Sequence, residues 1–210
     1  MTTSRHPAKP GRLHVGCSLV ASALLLALQA PGIALADSKD GIFPTADQVG
    51  GEVFPKGIQP GETFPTDWEI YDVTGKKLDA GKLINGKRTV LAFFISAVPV
   101  SVEELKKLQT AKDAAGSDTQ LLFVNADTVG AALTGGPSTR VQETARTARL
   151  IKAEQGLKHP VYVAPNDALS PVGLSNKLGF RGLPTVFIIG ADGKVENVYV
   201  GPQDWSKTSI

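Results

Sequence analysis

Cysteine is all but missing from this sequence: the single one, Cys17, lies close to the N-terminus. One cysteine cannot build a disulfide framework, nor can it supply a cysteine-based zinc site. Histidine is scarce too, with three in the chain, and the one methionine is Met1. Excess charge is also lacking, because 22 Lys and Arg against 20 Asp and Glu leave +2. That is too little for a protein that grips nucleic acid by its phosphates. Wholesale disorder is excluded as well, since hydrophobic residues at 42% and charged residues at 20% sit near a globular average. The 210 residues suffice for one ordinary domain and are short for two.

The first 36 residues read as a secretory leader. Arg5, Lys9 and Arg12 make a basic start, Leu19 to Ala30 is a mostly apolar run, and Ala34-Leu35-Ala36 offers a small-x-small cleavage pattern before Asp37. Pro31 and Gly32 end the run short of the ~20 residues a membrane span needs. Cys17 precedes most of that run, the wrong order for lipid attachment. The expectation is an exported, periplasmic protein cut after Ala36, with no membrane span in the mature chain. Cleavage removes three basic and no acidic residues, so 19 basic face 20 acidic, a net charge of −1. It also removes Cys17, Met1, His6 and His14, leaving His159 as the sole histidine. The mature chain then carries no thiol into an oxidising compartment.

Residues 37–60 are rich in Gly and Pro. They read as an arm lying on the domain with Phe43 and Phe54 as anchors, or nearly as well as a plain linker. From 61 to 210 the pattern is that of one domain. Trp68 to Val73 alternates as a strand, and Thr74-Gly75-Lys76 supplies a turn. Thr89 to Ile95 is an unbroken apolar run that fits a strand buried on both faces. Ser101 and Glu104 have the spacing of a capping box, predicting a helix that carries Leu105 and Leu108 and breaks near Gly116. Further strands are predicted at Gln120–Asn125, within 159–164, and at 185–189. Helices are predicted at about 138–155 and 169–178. Asp192-Gly193 signals a hairpin whose second strand is Val195–Val200. The order predicts an α/β sandwich with a mixed sheet.

Four segments carry a resemblance: Gly61-Glu-Thr-Phe-Pro65, Val73-Thr-Gly75-Lys76, Gly182-Leu-Pro184-Thr185 with its apolar strand, and Ala191-Asp-Gly193-Lys194. In this order they resemble the thioredoxin-like fold over residues 58 to 202. More narrowly they resemble the exported redoxin group, including thiol–disulfide oxidoreductases of the cytochrome-maturation type. That group shades into the alkyl hydroperoxide reductase/thiol-specific antioxidant (peroxiredoxin) family. The resemblance implies a three-layer α/β/α sandwich with a central mixed β-sheet and a C-terminal β-hairpin. It also implies a cis bond at Leu183–Pro184, and a terminal helix for which Pro202 to Ile210 leave little room. Either the arm of residues 37–60 covers the face such a helix would occupy, which is the favoured expectation, or an apolar strip is left there for a partner.

The resemblance places a Cys-Pro-x-Cys turn at Val98, Pro99, Val100 and Ser101. Both cysteines are gone, with Val98 and Ser101 in their places. Thiol–disulfide exchange needs a thiolate, and peroxide reduction needs one to form a sulfenic acid. Neither reaction can run through a mature chain without cysteine. A Ser101–His159 pair would need an orienting acid and an oxyanion site, and Ser101 reads better as a helix cap. One histidine among scattered carboxylates gives no metal spacing. Gly130 to Pro137 lacks the Lys-Ser/Thr ending of a phosphate loop, while Arg140, Arg146 and Arg149 read as a solvated helix face.

No catalytic residue, metal or cofactor is therefore expected. The sequence points to a redox-inactive, chaperone-like or other module that binds an extracytoplasmic polypeptide, with Val98, Pro99, Leu183 and Pro184 as an apolar binding patch. Two other readings stand beside it. One is a thiol oxidoreductase or peroxidase whose cysteine comes from a partner. The other is a structural subunit of an exported complex.

Overall fold

The computed structural model describes residues 57–115, 118–127, 137–166, 173–180, 182–208 and 210. The leader with its cleavage site, the anchors Phe43 and Phe54, and the loop from Gly130 to Gly136 lie outside them.

Seven strands form one sheet: β1 (Ile70–Asp72), β2 (Lys77–Leu78), β3 (Thr89–Phe94), β4 (Gln120–Asn125), β5 (Val161–Val163), β6 (Thr185–Ile189) and β7 (Val195–Val200). Four helices accompany them: α1 (Ala80–Ile84), α2 (Pro99–Ala115), α3 (Pro137–Glu154) and α4 (Leu174–Leu178). The spatial order is β2-β1-β5-β4-β3-β6-β7. The three strands β3, β4 and β5 are parallel, and the outer pairings are antiparallel.

The unbroken apolar run of β3 is explained by its place. All six of its residues are buried, because helices cover both faces of the central strand. Leu91 and Phe93 point into a core with Phe64, Trp68, Ile84, Leu178 and Phe187. Val90, Ala92 and Phe94 point the other way, among Leu105 and Leu108 of α2 and Ala148 and Ile151 of α3. The alternation is that of any strand, with apolar partners on both sides. This is the three-layer α/β/α sandwich with a mixed sheet and a β6–β7 hairpin that the sequence led us to expect.

Helix α1 and the short β2 were not visible in the sequence pattern. Five residues give too little of a 3.6-residue period to detect, although Asp79 marks the start by accepting the Lys82 N–H at 3.2 Å.

Among the described residues the chain's end packs against the core shared by α2 and α3, while residues 37–56 of the expected covering arm lie outside them. Trp205 is 7% exposed and stacks edge-on against Tyr199 at 5.4 Å, with Ile210 beside the same core. Glu104 of α2, itself 1% exposed, accepts the indole N–H at 2.6 Å and the Gln203 N–H at 2.7 Å. These last residues form a strap beside Glu104 and the α2–α3 core.

Next to Trp205, Asp204 binds Lys207 at 2.8 Å and the Ser206 hydroxyl at 2.5 Å. The Lys207 bond, then the Ser206 hydroxyl, hold its pKa down at about 2. A depressed carboxylate stabilises the fold above its unfolded pKa of 3.8 and loses that effect as pH falls toward 2. Between about pH 4 and 2 the strap should therefore loosen. Trp205 fluorescence should report the change, and Asp204→Asn should flatten that segment of the pH profile.

Candidate functional site

Strand β3 ends at Phe94 and delivers the chain through Ile95–Val98 into α2. Pro99 occupies the first helical position, where its fixed φ suits the helix and its missing N–H would have had no partner. That choice moves the helix start two residues ahead of the predicted capping box. Ser101 thus lies within the first turn, fully buried, and its N–H donates to the Val98 carbonyl at 3.0 Å. Its hydroxyl accepts the Ile95 N–H at 3.2 Å, bracing the loop from inside. Glu104 is turned away to the C-terminal strap. Neither residue makes the reciprocal cap that the spacing suggested.

The same loop is held from β4. The Ser96 N–H donates to Asp127 at 2.7 Å, and the Ser96 hydroxyl bonds the other oxygen of that carboxylate. The Asp127 N–H in turn donates to the Asn125 side chain at 2.8 Å, and the Ala126 N–H donates to the Phe94 carbonyl at 2.8 Å. Asn125 is wholly buried, and its side-chain NH2 has no hydrogen-bond partner. Sequence reasoning passed over Ser96, Asn125 and Asp127. The available signal was polar residues gathered at the end of an otherwise apolar strand, facing a loop distant in sequence.

Strand β6 begins opposite this exit, since Thr185 pairs with Phe93. The bond before it, Leu183–Pro184, is cis. The Pro184 carbonyl accepts the Gly201 N–H at 2.8 Å, and the Thr185 hydroxyl bonds the Gly182 carbonyl. The adjacent strands β3 and β6 therefore bring Val98, Pro99, Leu183 and Pro184 to one end of the sheet. Their side chains differ in what they present. Pro99 is exposed and Val98 and Val100 are half-buried. Pro184 is buried, and Leu183 is 6% exposed with its side chain in the core. Among the described residues nothing pairs with the Leu183 N–H or carbonyl.

Ser101 and His159 are held apart. His159 precedes β5, and its Nε2 lies 3.3 Å from Asp113 near the far end of α2. The His159 bond, ahead of that from Lys158, keeps the Asp113 pKa below its ordinary value. Twelve residues of helix separate Ser101 from Asp113, roughly 18 Å at the usual rise. No serine–histidine pair exists here.

Among the described residues no group of three or more His, Cys, Asp or Glu could hold a metal, and no helix is long and apolar enough to cross a membrane. Of the three arginines, Arg146 and Arg149 are exposed and Arg140 is half-buried. Arg149 also ties α3 to the turn after β1 by donating to the Val73 carbonyl at 2.8 Å.

No family model and no curated protein matches the chain. Solved structures do. The thioredoxin domain of a thiol-disulfide oxidoreductase from Bacteroides vulgatus is 13% identical, covering 71% of this chain and 94% of its own at a TM-score of 0.53. A thioredoxin-like protein from Porphyromonas gingivalis is 19% identical, covering 67% of this chain and 82% of its own at a TM-score of 0.50. At such identities the likeness speaks to the fold alone. With the sheet order and a single cysteine, Cys17, it identifies this chain as a thioredoxin-like fold without a cysteine pair.

Proposed function

We propose that this protein is an exported, redox-silent binding module of redoxin type that holds an extended polypeptide at the Val98–Pro99 and Leu183–Pro184 end of the sheet. One observation carries the reading: the N–H and carbonyl of Leu183, which pair with nothing among the described residues, beside the half-buried Val98 and exposed Pro99, in a chain with no cysteine after Cys17. An extended segment could pair with that backbone as an added strand while Val98 and Pro99 give apolar contact. Specificity would then come from shape and main-chain hydrogen bonds, with no covalent step. The leader pattern and the lack of thiols support a place outside the cytoplasm.

The experiment is a pull-down from periplasmic extract with the unchanged protein and with Val98→Glu, run beside insulin-reduction and peroxide-consumption assays. Val98 is half-buried at the helix start, so the variant should stay folded and its circular dichroism unchanged. The expected outcome is a partner at least about tenfold depleted with Val98→Glu, a change worth about 1.4 kcal/mol, and blank thiol assays. A partner retained equally by both forms would move the functional surface elsewhere. Turnover restored by adding a partner chain would point to an enzyme that borrows its cysteine.

A further inference from the structure

Two stretches of the sequence share four of five residues: Gly51-Glu52-Val53-Phe54-Pro55 and Gly61-Glu62-Thr63-Phe64-Pro65. The structure shows what the second one does. It lies antiparallel on the outer edge of β7, with Thr63 facing Lys194. The Gly61 N–H donates to the Val195 carbonyl at 2.7 Å, and the Phe64 N–H to the Gly193 carbonyl at 2.9 Å. Phe64 is 2% exposed, its ring 5.1 Å from that of Phe187.

Beyond that contact the same edge is open. β7 is the last strand in the sheet order, and among the described residues no strand pairs with its outer side at Asn197–Val200. The Gly201 N–H donates inward to Pro184, so strand alternation turns the N–H and carbonyl of Val198 and Val200 outward. Next to this stretch lies an open groove of about 250 Å³, lined chiefly by Ile58, Leu178, Thr185, Phe187, Val198 and Val200 and by no charged residue. A strand edge left unpaired by the described residues and flanked by an uncharged groove, with Gln59 and Asn197 among its lining, is a template for one more extended segment.

The chain itself arrives at this place. Gly57 lines the groove where it crosses Gly179. A Cβ on Gly57 would sit 2.8 Å from the Gly179 carbonyl oxygen, and one on Gly179 2.2 Å from the Gly57 Cα. Only glycine at both positions permits that approach, which fixes the course of the chain at Gly57. Phe54 is three residues upstream, within roughly 10 Å of extended chain. A tether that short gives it an effective concentration on the order of millimolar. Val53-Phe54-Pro55 is uncharged, matching the groove.

We propose that Gly51–Pro55 docks along the open edge of β7 at Val198 and Val200 and seats Phe54 in this groove, as its twin seats Phe64 further along the same edge. The occupant is the chain's own arm, and the docking does not depend on the function proposed above.

Amide hydrogen exchange on the full chain tests it, comparing the unchanged protein with Phe54→Ala and Phe43→Ala. The Val198 and Val200 amides should exchange slowly in the unchanged protein and in Phe43→Ala, whatever the protein concentration. In Phe54→Ala they should exchange at least about tenfold faster, while β3 amides stay protected and show that the domain remains folded. Fast exchange of both amides in the unchanged protein would overturn the proposal, as would equal protection in Phe54→Ala. Protection lost on dilution, together with a dimer-to-monomer shift in sedimentation, would assign the groove to a second copy and overturn it too.

Discussion

Replacing Trp205 with alanine is expected to destabilise the domain by about 3–5 kcal/mol, the scale of a large aromatic removed from a core. Two losses combine at this position. The indole leaves a cavity against Tyr199 and the α2–α3 core, and Glu104 loses the N–H that it accepts at 2.6 Å. Glu104 is 1% exposed, and its other oxygen has no hydrogen bond among the described residues, with the Lys107 ammonium 3.5 Å away. Stripping a partner from a buried carboxylate costs more than the bond contributes while present. Trp205→Phe keeps most of the volume and loses the N–H alone, so about 1–3 kcal/mol is expected. Urea unfolding measures both. A Trp205→Ala cost below about 1 kcal/mol would resemble an ordinary surface substitution. It would mean that the strap contributes little to the core it packs on.

This contact also shows what a linear sequence hides. Glu104 stood at the right spacing from Ser101 for a local cap, yet its partner is 101 residues away. The competing local signal was Pro99, which suits the first helical position and displaces Ser101 into the turn. By contrast, β4, β6 and β7 were legible to the residue, because buried strands declare themselves as short apolar runs between turn residues. The site was half legible. Motif order placed Val98, Pro99, Leu183 and Pro184 at one end of the sheet, but no pattern distinguishes an inward leucine side chain from an outward one beside a bend. The Ser96–Asp127 tie was not legible, since each partner reads alone as an ordinary loop residue. The repeated Gly-Glu-x-Phe-Pro was present in the sequence from the start. It acquires meaning only once Phe64 is seen on the edge of β7.

Restoring the thiol pair should have the other large effect. In a Cys17→Ser background, Val98→Cys with Ser101→Cys is expected to form an intramolecular disulfide. Three residues apart at a helix start, the two Cα atoms fall within the roughly 4.4–6.8 Å range a disulfide spans. The attacking thiol at the N-terminus of α2 should have a pKa below the usual value of about 8.5. Insulin reduction should rise from blank to measurable turnover in the double variant and stay blank in each single one. Losing the Ser101 hydroxyl's bond to Ile95 should cost about 1 kcal/mol, small enough to leave the fold intact. A folded double variant that never forms the disulfide would show that the loop has departed from the geometry of a redox-active turn. The silence of this protein would then have a deeper cause than two side chains.

Binding of extended polypeptide at the Val98–Leu183 end of the sheet, without covalent chemistry, can be tested by a nitrogen-15 NMR titration of the protein with a permanently unfolded, cysteine-free polypeptide. Saturable shifts are expected, centred on the Val98, Val100, Leu183 and Thr185 amides, abolished by Val98→Glu and unchanged by added dithiol. Shifts confined to other surfaces, or none at millimolar polypeptide, would contradict such binding.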